Sequence, residues 1–213
     1  MITGLYGGTF NPIHFGHLRT AEEIYERFGM KEIVFIPAAN PPHKDARDAV
    51  DPNHRLKMVG LGLTGNSHFS VSDIEYRRQG KSYSIDTVRE LRRLRPNETL
   101  AFILGMDAFL EIHTWHKFEE IFAECDFIVT TRPGAAKVSC QQAFPDSIAK
   151  VMKRKGPGRE WTHPSGRRVV FTEVTNLDIS ATALRALVRE GKSVRYLLPI
   201  RVNQYINDHG LYK

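Results

Sequence analysis

Two histidines three residues apart, His14 and His17, follow an apolar segment and a pair of glycines in the stretch GGTFNPIHFGH. Imidazole rings can donate hydrogen bonds to phosphate oxygens, and they carry positive charge when protonated. We expect a helix to begin near Phe15, and residues three apart lie on one side of a helix turn. The positive end of that helix would face the same crevice as the two rings. The pattern predicts a phosphate-binding site.

The residues before the histidines shape the same site. Gly7 and Gly8 are expected to follow the first strand directly, where glycine accepts a positive φ and lets a ligand approach the backbone closely. Pro12 is expected to fix a bend. A zinc site is a weaker alternative, because no carboxylate or cysteine stands at companion spacing. Two isolated histidines at this spacing would most simply be surface residues, one of which caps a helix. The preceding strand and the expected glycine turn make that interpretation less favoured here.

The elements that must position these residues alternate between β-rich and helical patterns. Strands are predicted at 2–6, 32–37, 69–74, 99–104, 126–131 and 168–174. Apolar spacing of three and four residues predicts helices at 16–28, 53–63, 84–95 and 116–124, followed later by consecutive helices at 181–190 and 199–208. The alternation predicts an α/β fold, a doubly wound (Rossmann-like) parallel sheet with a small C-terminal helical part. Ligand sites of such a sheet lie beyond the carboxyl ends of its strands.

The length of 213 residues fits one α/β domain over residues 1–178, with C-terminal helices in 179–213 packed on it. The irregular segment at about 133–167 is predicted to be a surface insertion with room for one short helix. No apolar run approaches the roughly 18 residues of a membrane helix, and the N-terminus lacks a signal-peptide pattern. The two distant cysteines, Cys125 and Cys140, indicate a cytoplasmic, disulfide-free protein. No membrane partner is expected.

The net charge and two short glycine motifs say less about function than the histidine pattern does. The net charge of +6 favours anionic partners without choosing among nucleotides, nucleic acid and acidic lipid. GLGLTG at 60–65 matches G-x-G-x-x-G, but we expect its glycines to close a helix that begins near Pro52. GKS at 80–82 resembles the end of a phosphate-binding P-loop, but Glu75 stands where the first glycine of that loop should be.

Two motifs far apart in the chain are more specific. The histidine stretch resembles the T/H-x-G-H signature of the adenylyltransferase/cytidylyltransferase superfamily, and ISATALR at 179–185 resembles its C-terminal I-S-x-T-x-x-R. Between them lie NPPHK at 40–44, SYSIDT at 82–87, LGMDAF at 104–109, TW at 114–115 and TRPG at 131–134. Together these segments are similar to the bacterial nicotinate-nucleotide adenylyltransferases over essentially the whole chain. Ala181 and Ser84 replace a common serine and a common threonine, and they keep the key groups of both motifs.

The resemblance implies the reaction of that family, in which ATP and nicotinate mononucleotide give deamido-NAD and pyrophosphate during NAD biosynthesis. It implies Mg²⁺ bound through the ATP phosphates rather than by a protein cage. A monomer or small homo-oligomer without a nucleic-acid partner is expected. The residues implied to be catalytic are His14, His17 and Arg185. Those implied to bind ATP are Gly7, Gly8, Thr9, Phe10, Asn11, His14, His17, Gly105, Asp107, Arg132, Ile179, Ser180, Thr182 and Arg185. Those implied to bind the mononucleotide are Asn40, His43, Lys44, Tyr83, Ser84, Trp115 and His116.

Several of these residues also have a plainer interpretation. Ser180 and Asp107 could simply cap the helices that follow them, and Arg185 could lie in solvent. Trp115 could be a buried anchor, whereas the resemblance places the nicotinate ring against it. The resemblance also implies that main-chain donors near Ser84 and His116 receive the carboxylate of the substrate.

Two rival functions stay open. The same adenylyl chemistry could act on nicotinamide mononucleotide or phosphopantetheine, because the histidine signature is shared; Tyr83, Ser84 and Trp115 favour the nicotinate substrate. A nucleic-acid-binding protein is the second rival, since residues 150–168 hold seven basic residues and one acidic residue. No RNA-binding aromatic signature or DNA-reading helix accompanies them.

Overall fold

The computed structural model describes residues 1–41, 49–131 and 141–213. The strands in these residues are β1 (Ile2–Gly8), β2 (Glu32–Pro37), β3 (Phe69–Val71), β4 (Thr99–Gly105), β5 (Asp126–Thr131), β6 (Lys153–Arg154), β7 (Glu160–Thr162) and β8 (Arg168–Glu173). They form one sheet in the order β3-β2-β1-β4-β5-β8-β7-β6. Neighbours from β3 to β8 are parallel, and the β8-β7-β6 edge is antiparallel.

Helices cover both faces of this sheet. They are α1 (Phe15–Phe28), α2 (Pro52–Gly62), α3 (Ser84–Leu94), α4 (Met106–Leu110), α5 (Phe118–Glu124), α6 (Asp146–Ala149), α7 (Ala181–Arg189) and α8 (Ile200–Asp208). Buried apolar residues of α1, α2, α7 and α8 belong to one core cluster, whereas those of α3, α4, α5 and α6 belong to the other. The strand β4 explains this division, because successive side chains of a strand point to opposite faces. Leu100, Phe102 and Leu104 enter one cluster, and Ala101 and Ile103 enter the other.

Most predicted elements are confirmed, and the doubly wound α/β fold is confirmed with them. β2 and β5 have the predicted bounds, and the other predicted elements except β3 agree within two residues at each end. α5 begins two residues late because Lys117 has a left-handed backbone with φ 52°. The prediction of a strand over 69–74 is wrong beyond Val71. The Ser72 N–H makes the last bond to Phe35, and the chain then enters a 3-10 turn over Ile74–Arg77 that buries Ile74.

The segment predicted as a surface insertion contributes to the core where it is described, from residue 141 onward. Phe144 and Trp161 are buried in the cluster on the α3 face. The hairpin β6–β7 extends the sheet and is not predicted from the sequence, because its strands are very short and Lys153 and Arg154 are exposed. The expected short helix corresponds to α6. The division into domains stays a prediction.

The two rejected glycine motifs lie where the sequence places them. α2 begins at Pro52 behind an Asp51 carboxylate that accepts from the Asn53 N–H at 2.8 Å, and GLGLTG closes that helix. GKS lies in the loop before α3. Among the described helices, none is long and apolar enough to cross a membrane.

The basic run at 150–168 contains several cations paired with neighbouring carboxylates. The pairs are Lys155–Glu160, Arg159–Glu173 and Arg168–Asp126. The guanidinium of Arg154 lies over the Trp161 ring, 5.6 Å from its centroid. These contacts fit a solvated charged face, and the lack of a nucleic-acid partner stays a prediction.

The strand order reverses between β1 and β4. From β1 the chain builds the sheet outward to β2 and β3, then returns to add β4 on the other side of β1. Such a switch point opens a crevice at the carboxyl ends of the two strands. Here those ends are Gly8 and Gly105.

Candidate active site

The crevice begins at two glycines that still belong to β1. Gly7 and Gly8 are not among the residues with positive φ, so the expected glycine turn after β1 is wrong. Their role is spatial, because a Cβ on Gly7 would lie 2.7 Å from Cζ of Phe102, and one on Gly8 would lie 2.9 Å from Cζ of Phe10. The positive φ, 47°, falls on the buried Phe10 instead. The chain turns there, just before the cis peptide bond at Pro12.

His14 and His17 lie at the start of α1, as predicted. Their rings stack with centroids 3.7 Å apart, and the His14 N–H donates to Nδ1 of His17 at 3.3 Å. Because that Nδ1 accepts, neutral His17 carries its proton on Nε2. Burial lowers the pKa of His14 to about 4. At neutral pH His14 is therefore an uncharged hydrogen-bonding group, and its buried Nδ1 has no hydrogen-bond partner among the described residues.

The second motif lies directly beside the first. A Cβ on Gly16 would lie 3.6 Å from the main-chain oxygen of Ile179, the first residue of ISATALR. The Oγ of Ser180 accepts from the Ala183 N–H at 3.1 Å, which confirms Ser180 as the N-cap of α7. Two motifs from distant parts of the chain thus meet at the N-terminal ends of α1 and α7.

Arg185 extends from α7 toward the loop after β1. Its Nη1 donates to the main-chain oxygen of Asn11 at 3.0 Å, and its Nη2 donates to Oγ1 of Thr182 at 3.4 Å. Its Nε is buried and has no partner among the described residues. The guanidinium is therefore held beside the histidine motif, and the plainer interpretation of a solvated helix residue does not fit this placement.

Phe10 and Asn11, both predicted to bind ATP, are buried and use their side chains within the protein. The Phe10 ring packs edge-on to Tyr6 and His17, with centroids 5.8 and 5.0 Å away. The Oδ1 of Asn11 accepts from the Tyr212 hydroxyl at 2.8 Å. Any contact of Phe10 and Asn11 with a ligand is therefore left mainly to their main-chain atoms.

A cavity of about 250 Å³ opens beside the same loop. Its lining includes the predicted site residues Gly7, Gly8, Thr9, Tyr83, Ser84, Trp115 and His116. Trp115 is half-buried with its ring edge-on to Phe102 at 5.8 Å. The rings of Tyr83 and His116 lie 4.3 Å apart. The predicted site residues therefore meet in one cavity, and the rings of Tyr83, Trp115 and His116 give it an aromatic side.

The N-terminus of α3 supplies main-chain donors to this cavity. Ser84 is the first helical residue, as predicted. The first bonds within the helix run from Asp86 and Thr87 to the Tyr83 oxygen at 3.1 and 3.2 Å. The N–H groups of Ser84 and Ile85 consequently have no acceptor within the helix. Free N–H groups and the positive helix end together suit a negatively charged group.

Three other predicted residues are described outside the cavity. Asn40 is hydrogen-bonded to the loop before α3. Its main-chain N–H donates to Oγ of Ser82 at 3.0 Å, and its Nδ2 donates to the main-chain oxygen of Gly80 at 3.2 Å. Gly105 and Asp107 are exposed at the carboxyl end of β4. The Asp107 side chain makes no capping bond to α4, so the plainer capping interpretation is wrong. The predictions for His43, Lys44 and Arg132 lie outside the described residues.

Arg55 on α2 supports the site although neither motif predicts it. Its side chain is fully buried and donates at 2.6–3.3 Å to the main-chain oxygens of Thr9, Ala38, Ala39 and Val50. Burial lowers its pKa. The available signal was its position three and four residues before Met58 and Val59, on the apolar face of its helix.

Glu75 joins two walls of the cavity and left no signal in the sequence. This buried carboxylate accepts from the Thr87 hydroxyl at 2.7 Å and from the Ala39 N–H at 3.4 Å. Arg78 also donates to the Thr87 hydroxyl oxygen. The exit of β2 and the first turn of α3 are thereby held together.

A larger groove of about 780 Å³ on α3 and α5 shares no residue with the cavity. Its arginines pair with glutamates, including Arg89 with Glu120 at 2.6 Å and with Glu124 at 2.8 Å. This groove is an ion-paired surface, and no residue of the two motifs lines it.

Comparison with known proteins decides the family. The model of the cytidylyltransferase-like family matches residues 5–187, a stretch that includes both motifs and the whole cavity lining. The chain belongs to the cytidylyltransferase-like family. It is 45% identical over 212 residues to a protein of Geobacter metallireducens named "Probable nicotinate-nucleotide adenylyltransferase", covering 100% of this chain and 98% of that protein. A protein of the same name from Geobacter sulfurreducens is 43% identical with the same coverage. These identities place the chain with the nicotinate-nucleotide adenylyltransferases of the family and confirm the resemblance read from its motifs.

A solved structure shares the fold of this chain. The chain is similar to a Plasmodium falciparum nicotinic acid mononucleotide adenylyltransferase complexed with NaAD, with a TM-score of 0.74 and 20% identity. That match covers 99% of this chain and 97% of the other. At this identity the likeness concerns the fold alone, and it agrees with the doubly wound sheet.

Proposed function

We propose that this chain transfers the adenylyl group of ATP to nicotinate mononucleotide, with deamido-NAD and pyrophosphate as products. The observation that carries the proposal is that residues 7–11, the end of β1 and the loop after it, border two different subsites. Asn11 accepts from Arg185 on one side, while Gly7, Gly8 and Thr9 line the aromatic cavity on the other. A reaction that joins two nucleotides needs binding sites that lie side by side, and this segment borders both of the proposed sites. The names of the relatives support the same activity.

The chemistry requires positioning more than a protein nucleophile. The phosphate of the mononucleotide attacks the α-phosphorus of ATP, and the bond from that phosphorus to the oxygen bridging to the β-phosphorus breaks. The attacking phosphate is already ionised at neutral pH, so no base is needed. The protein must hold two polyanions in line and stabilise the charge that develops on the transferring group.

The residues of the two motifs supply suitable donors. Nε2–H of His17 can donate to a phosphate oxygen, and the buried Nδ1 of His14 and Nε of Arg185 are places where a ligand oxygen would supply a missing partner. A phosphate beside His14 would also raise the pKa of its imidazole, because a nearby negative charge favours the protonated form. The planar guanidinium of Arg185 can bind two phosphate oxygens at once. Ser180 and Thr182 add the N-terminus of α7 to the same anion site.

The aromatic cavity suits the nicotinate group. The flat ring would pack on Trp115, and its carboxylate would accept from the N–H groups of Ser84 and Ile85 at the start of α3. Glu75 and Glu111 also line this cavity, and the two carboxylate oxygens of Glu75 already accept from Thr87 and Ala39. The cavity therefore offers donors to a carboxylate on the side of α3.

Magnesium fits this arrangement through the substrate. Among the described residues, no group of three or more His, Cys, Asp or Glu side chains could hold a metal ion. Mg²⁺ prefers oxygen ligands and keeps several waters. ATP phosphates and water would hold the ion, and the exposed Asp107 is a carboxylate suited to its water shell. The ion would neutralise phosphate charge during the transfer. Arg132 near the adenine, and Asn40, His43 and Lys44 toward the mononucleotide, keep the roles that the family implies.

The acid and amide mononucleotides provide the sharpest test. Charge-assisted hydrogen bonds contribute about 1.5–3 kcal/mol each, so kcat/KM for the acid should exceed that for the amide at least about tenfold. Pyrophosphate release with ATP and each acceptor measures this ratio. Equal values would contradict the carboxylate site and favour nicotinamide mononucleotide as the substrate. Turnover of phosphopantetheine alone would favour the other rival.

A pair of variants at one position tests the main-chain donors directly. Ser84→Pro removes the N–H of the first helical residue, where proline is well tolerated, and Tyr83 before it already has the extended backbone that proline requires. Ser84→Ala keeps that N–H. The acid preference should fall about tenfold in the proline variant and stay unchanged in the alanine variant. The same preference in both variants would exclude the Ser84 N–H as the carboxylate donor.

The setting of the activity is a further part of the proposal. We expect a cytoplasmic enzyme that acts as a monomer or small homo-oligomer without nucleic acid. Sedimentation of the purified chain with and without ATP tests the assembly, and a salt-dependent gel shift tests binding to nucleic acid.

A further inference from the structure

Asn11 joins three distant parts of the chain beside the histidine motif. Its Oδ1 accepts from the Tyr212 hydroxyl at 2.8 Å and from the Val50 N–H at 3.4 Å. Its main-chain oxygen accepts from Nη1 of Arg185 at 3.0 Å. An N–H can only donate, so the Val50 contact decides which atom of the Asn11 amide is the oxygen, and the Tyr212 hydroxyl is then the donor.

Tyr212 reaches this contact at a conformational cost. Its side chain is 9% exposed, and its hydroxyl meets a residue 201 positions away in the sequence. Its backbone has φ 66°, a strained value for a residue that is not glycine. Burial raises the pKa of its hydroxyl, which therefore stays a hydrogen-bond donor at neutral pH.

The guanidinium of Arg185 depends on Asn11 for its orientation. Its bond to the Asn11 oxygen is the shorter of its two hydrogen bonds within the described structure, since the contact with Thr182 is 3.4 Å long. The direction of the Asn11 carbonyl follows from how the residue is held, and its side chain is held by Tyr212 and Val50. Loss of the Tyr212 hydroxyl would therefore change the orientation of the Arg185 guanidinium.

We propose that Tyr212 is a positioning residue for ATP, because its hydroxyl fixes Asn11 and Asn11 in turn fixes the guanidinium of Arg185. This inference rests on the proposed function, in which Arg185 contacts the triphosphate. The structural alternative is that Tyr212 only packs against the core beside Leu211. That alternative predicts a change in thermal stability without any change that is specific to ATP.

A matched pair of tyrosine variants separates the two roles. Tyr212→Phe removes only the hydroxyl that binds Asn11. Tyr205→Phe removes a hydroxyl that makes a bond of the same length, 2.8 Å, to Nδ1 of His54 rather than to Asn11. Both variants should lose a similar, small amount of thermal stability. Only Tyr212→Phe should lower kcat/KM for ATP, by about three- to tenfold, while KM for the mononucleotide stays unchanged.

A double-mutant cycle tests whether the effect passes through Arg185. Tyr212→Phe should lower kcat/KM for ATP in the parent and have little further effect when Arg185 is already lysine, because interacting residues are non-additive. Binding of ATP alone, measured by calorimetry, gives a second readout that needs no acceptor. If ATP binding responds as expected while no dinucleotide forms, the proposed function fails and the role of Tyr212 stands.

Three results would overturn the inference. The first is an equal effect of Tyr212→Phe and Tyr205→Phe on ATP, and the second is full additivity with Arg185→Lys. If Tyr212→Phe does not fold, Asn11→Leu removes the same bond from the other side at nearly the same side-chain volume. The third result that would overturn the inference is ATP binding that stays unchanged in Asn11→Leu.

Discussion

The two sides of the crevice are built from different groups and from different parts of the chain. The histidine side combines a motif near residue 14 with one near residue 185, and the buried His14 Nδ1 and Arg185 Nε lack partners among the described residues. Apart from the shared residues 7–9, the cavity side comes from the middle of the chain, and it presents the rings of Tyr83, Trp115 and His116 beside a helix N-terminus. Buried polar atoms are normally hydrogen-bonded, so the exceptions mark where a ligand would complete the structure.

This difference indicates that the histidine side serves the chemical step and the cavity side serves substrate binding. Donors without partners stabilise charge most where charge develops, which on this proposal is at the transferring phosphate. Aromatic surface and main-chain N–H groups bind a flat ring and its carboxylate equally well before and during the reaction. Changes on the histidine side should therefore lower kcat, whereas changes on the cavity side should raise KM for the mononucleotide.

The largest effect is expected at His17. His17→Ala should lower kcat about 10²–10³-fold with little change in mononucleotide binding, because it removes a donor used chiefly in the transition state. Steady-state kinetics with saturating ATP measures it. His113→Ala, in an exposed turn, is the control and should behave like the parent. A normal kcat with only a raised KM would show that His17 contributes to binding alone.

The next largest effect is expected for Arg185→Lys, which should lower kcat/KM for ATP by about ten- to a hundredfold. Lysine keeps the charge but loses the planar fork, and a hydrogen bond to a charged group contributes about 1.5–3 kcal/mol. Arg201→Lys on α8, at an exposed residue outside both motifs, is the control and should behave like the parent. Turnover like that of the parent would mean that Arg185 does not face the triphosphate.

The two tryptophans of the chain test the cavity side. Trp115→Ala should raise KM for the mononucleotide about tenfold, since stacking of a base-like ring on an aromatic side chain contributes about 1–3 kcal/mol. ATP binding should stay nearly intact. Trp161→Ala, in the core of the β7 edge, should instead lower the melting temperature, at a cost of about 3–5 kcal/mol, without changing KM. A fall in stability without a change in KM at Trp115 would identify it as a core anchor.

The smallest effect concerns stability and isolates the buried His14. Its pKa is about 4 when folded, against 6.5 in the unfolded chain, so between these values the unfolded state binds more protons. Stability from His14 is therefore present above pH 6.5 and lost as the pH falls toward 4. Between pH 7 and 5 the free energy of unfolding should fall by about 2 kcal/mol more in the parent than in His14→Asn.

Chemical denaturation at both pH values measures this difference. His163, whose pKa is also lowered by burial, contributes in the same direction to both proteins and cancels. The carboxyl of Glu98, whose pKa of about 2 reflects its bond to Lys31, responds only at lower pH. Identical pH dependence in the two proteins would show that His14 is solvated.

The supporting roles of Arg55 and Glu75 could not be predicted from the sequence. Arg55 appears as a single basic residue on an apolar helix face, and Glu75 as one acid after a strand. The partners of Arg55, and one of the two hydrogen-bond partners of Glu75, are main-chain atoms such as those of Thr9 and Ala39. Every residue possesses such atoms, and they leave no trace in the side-chain pattern. The other partner of Glu75, the Thr87 hydroxyl, lies 12 positions away in the sequence. The short hairpin β6–β7 was missed because its exposed basic residues show no alternation.

The sequence by itself determined the alternating strands and helices, the start of α1 beside His14, the N-cap at Ser180 and the helix start at Ser84. These features depend on periodicity and on backbone preferences within a few residues, which the sequence records directly. Only the tertiary structure decided that Gly7 and Gly8 make room for rings rather than turn the chain. The meeting of the two motifs, and the bond from Tyr212 to Asn11, were decided at the same level. Such contacts join residues far apart in sequence, so they depend on which strands become neighbours and which side chains those strands bury.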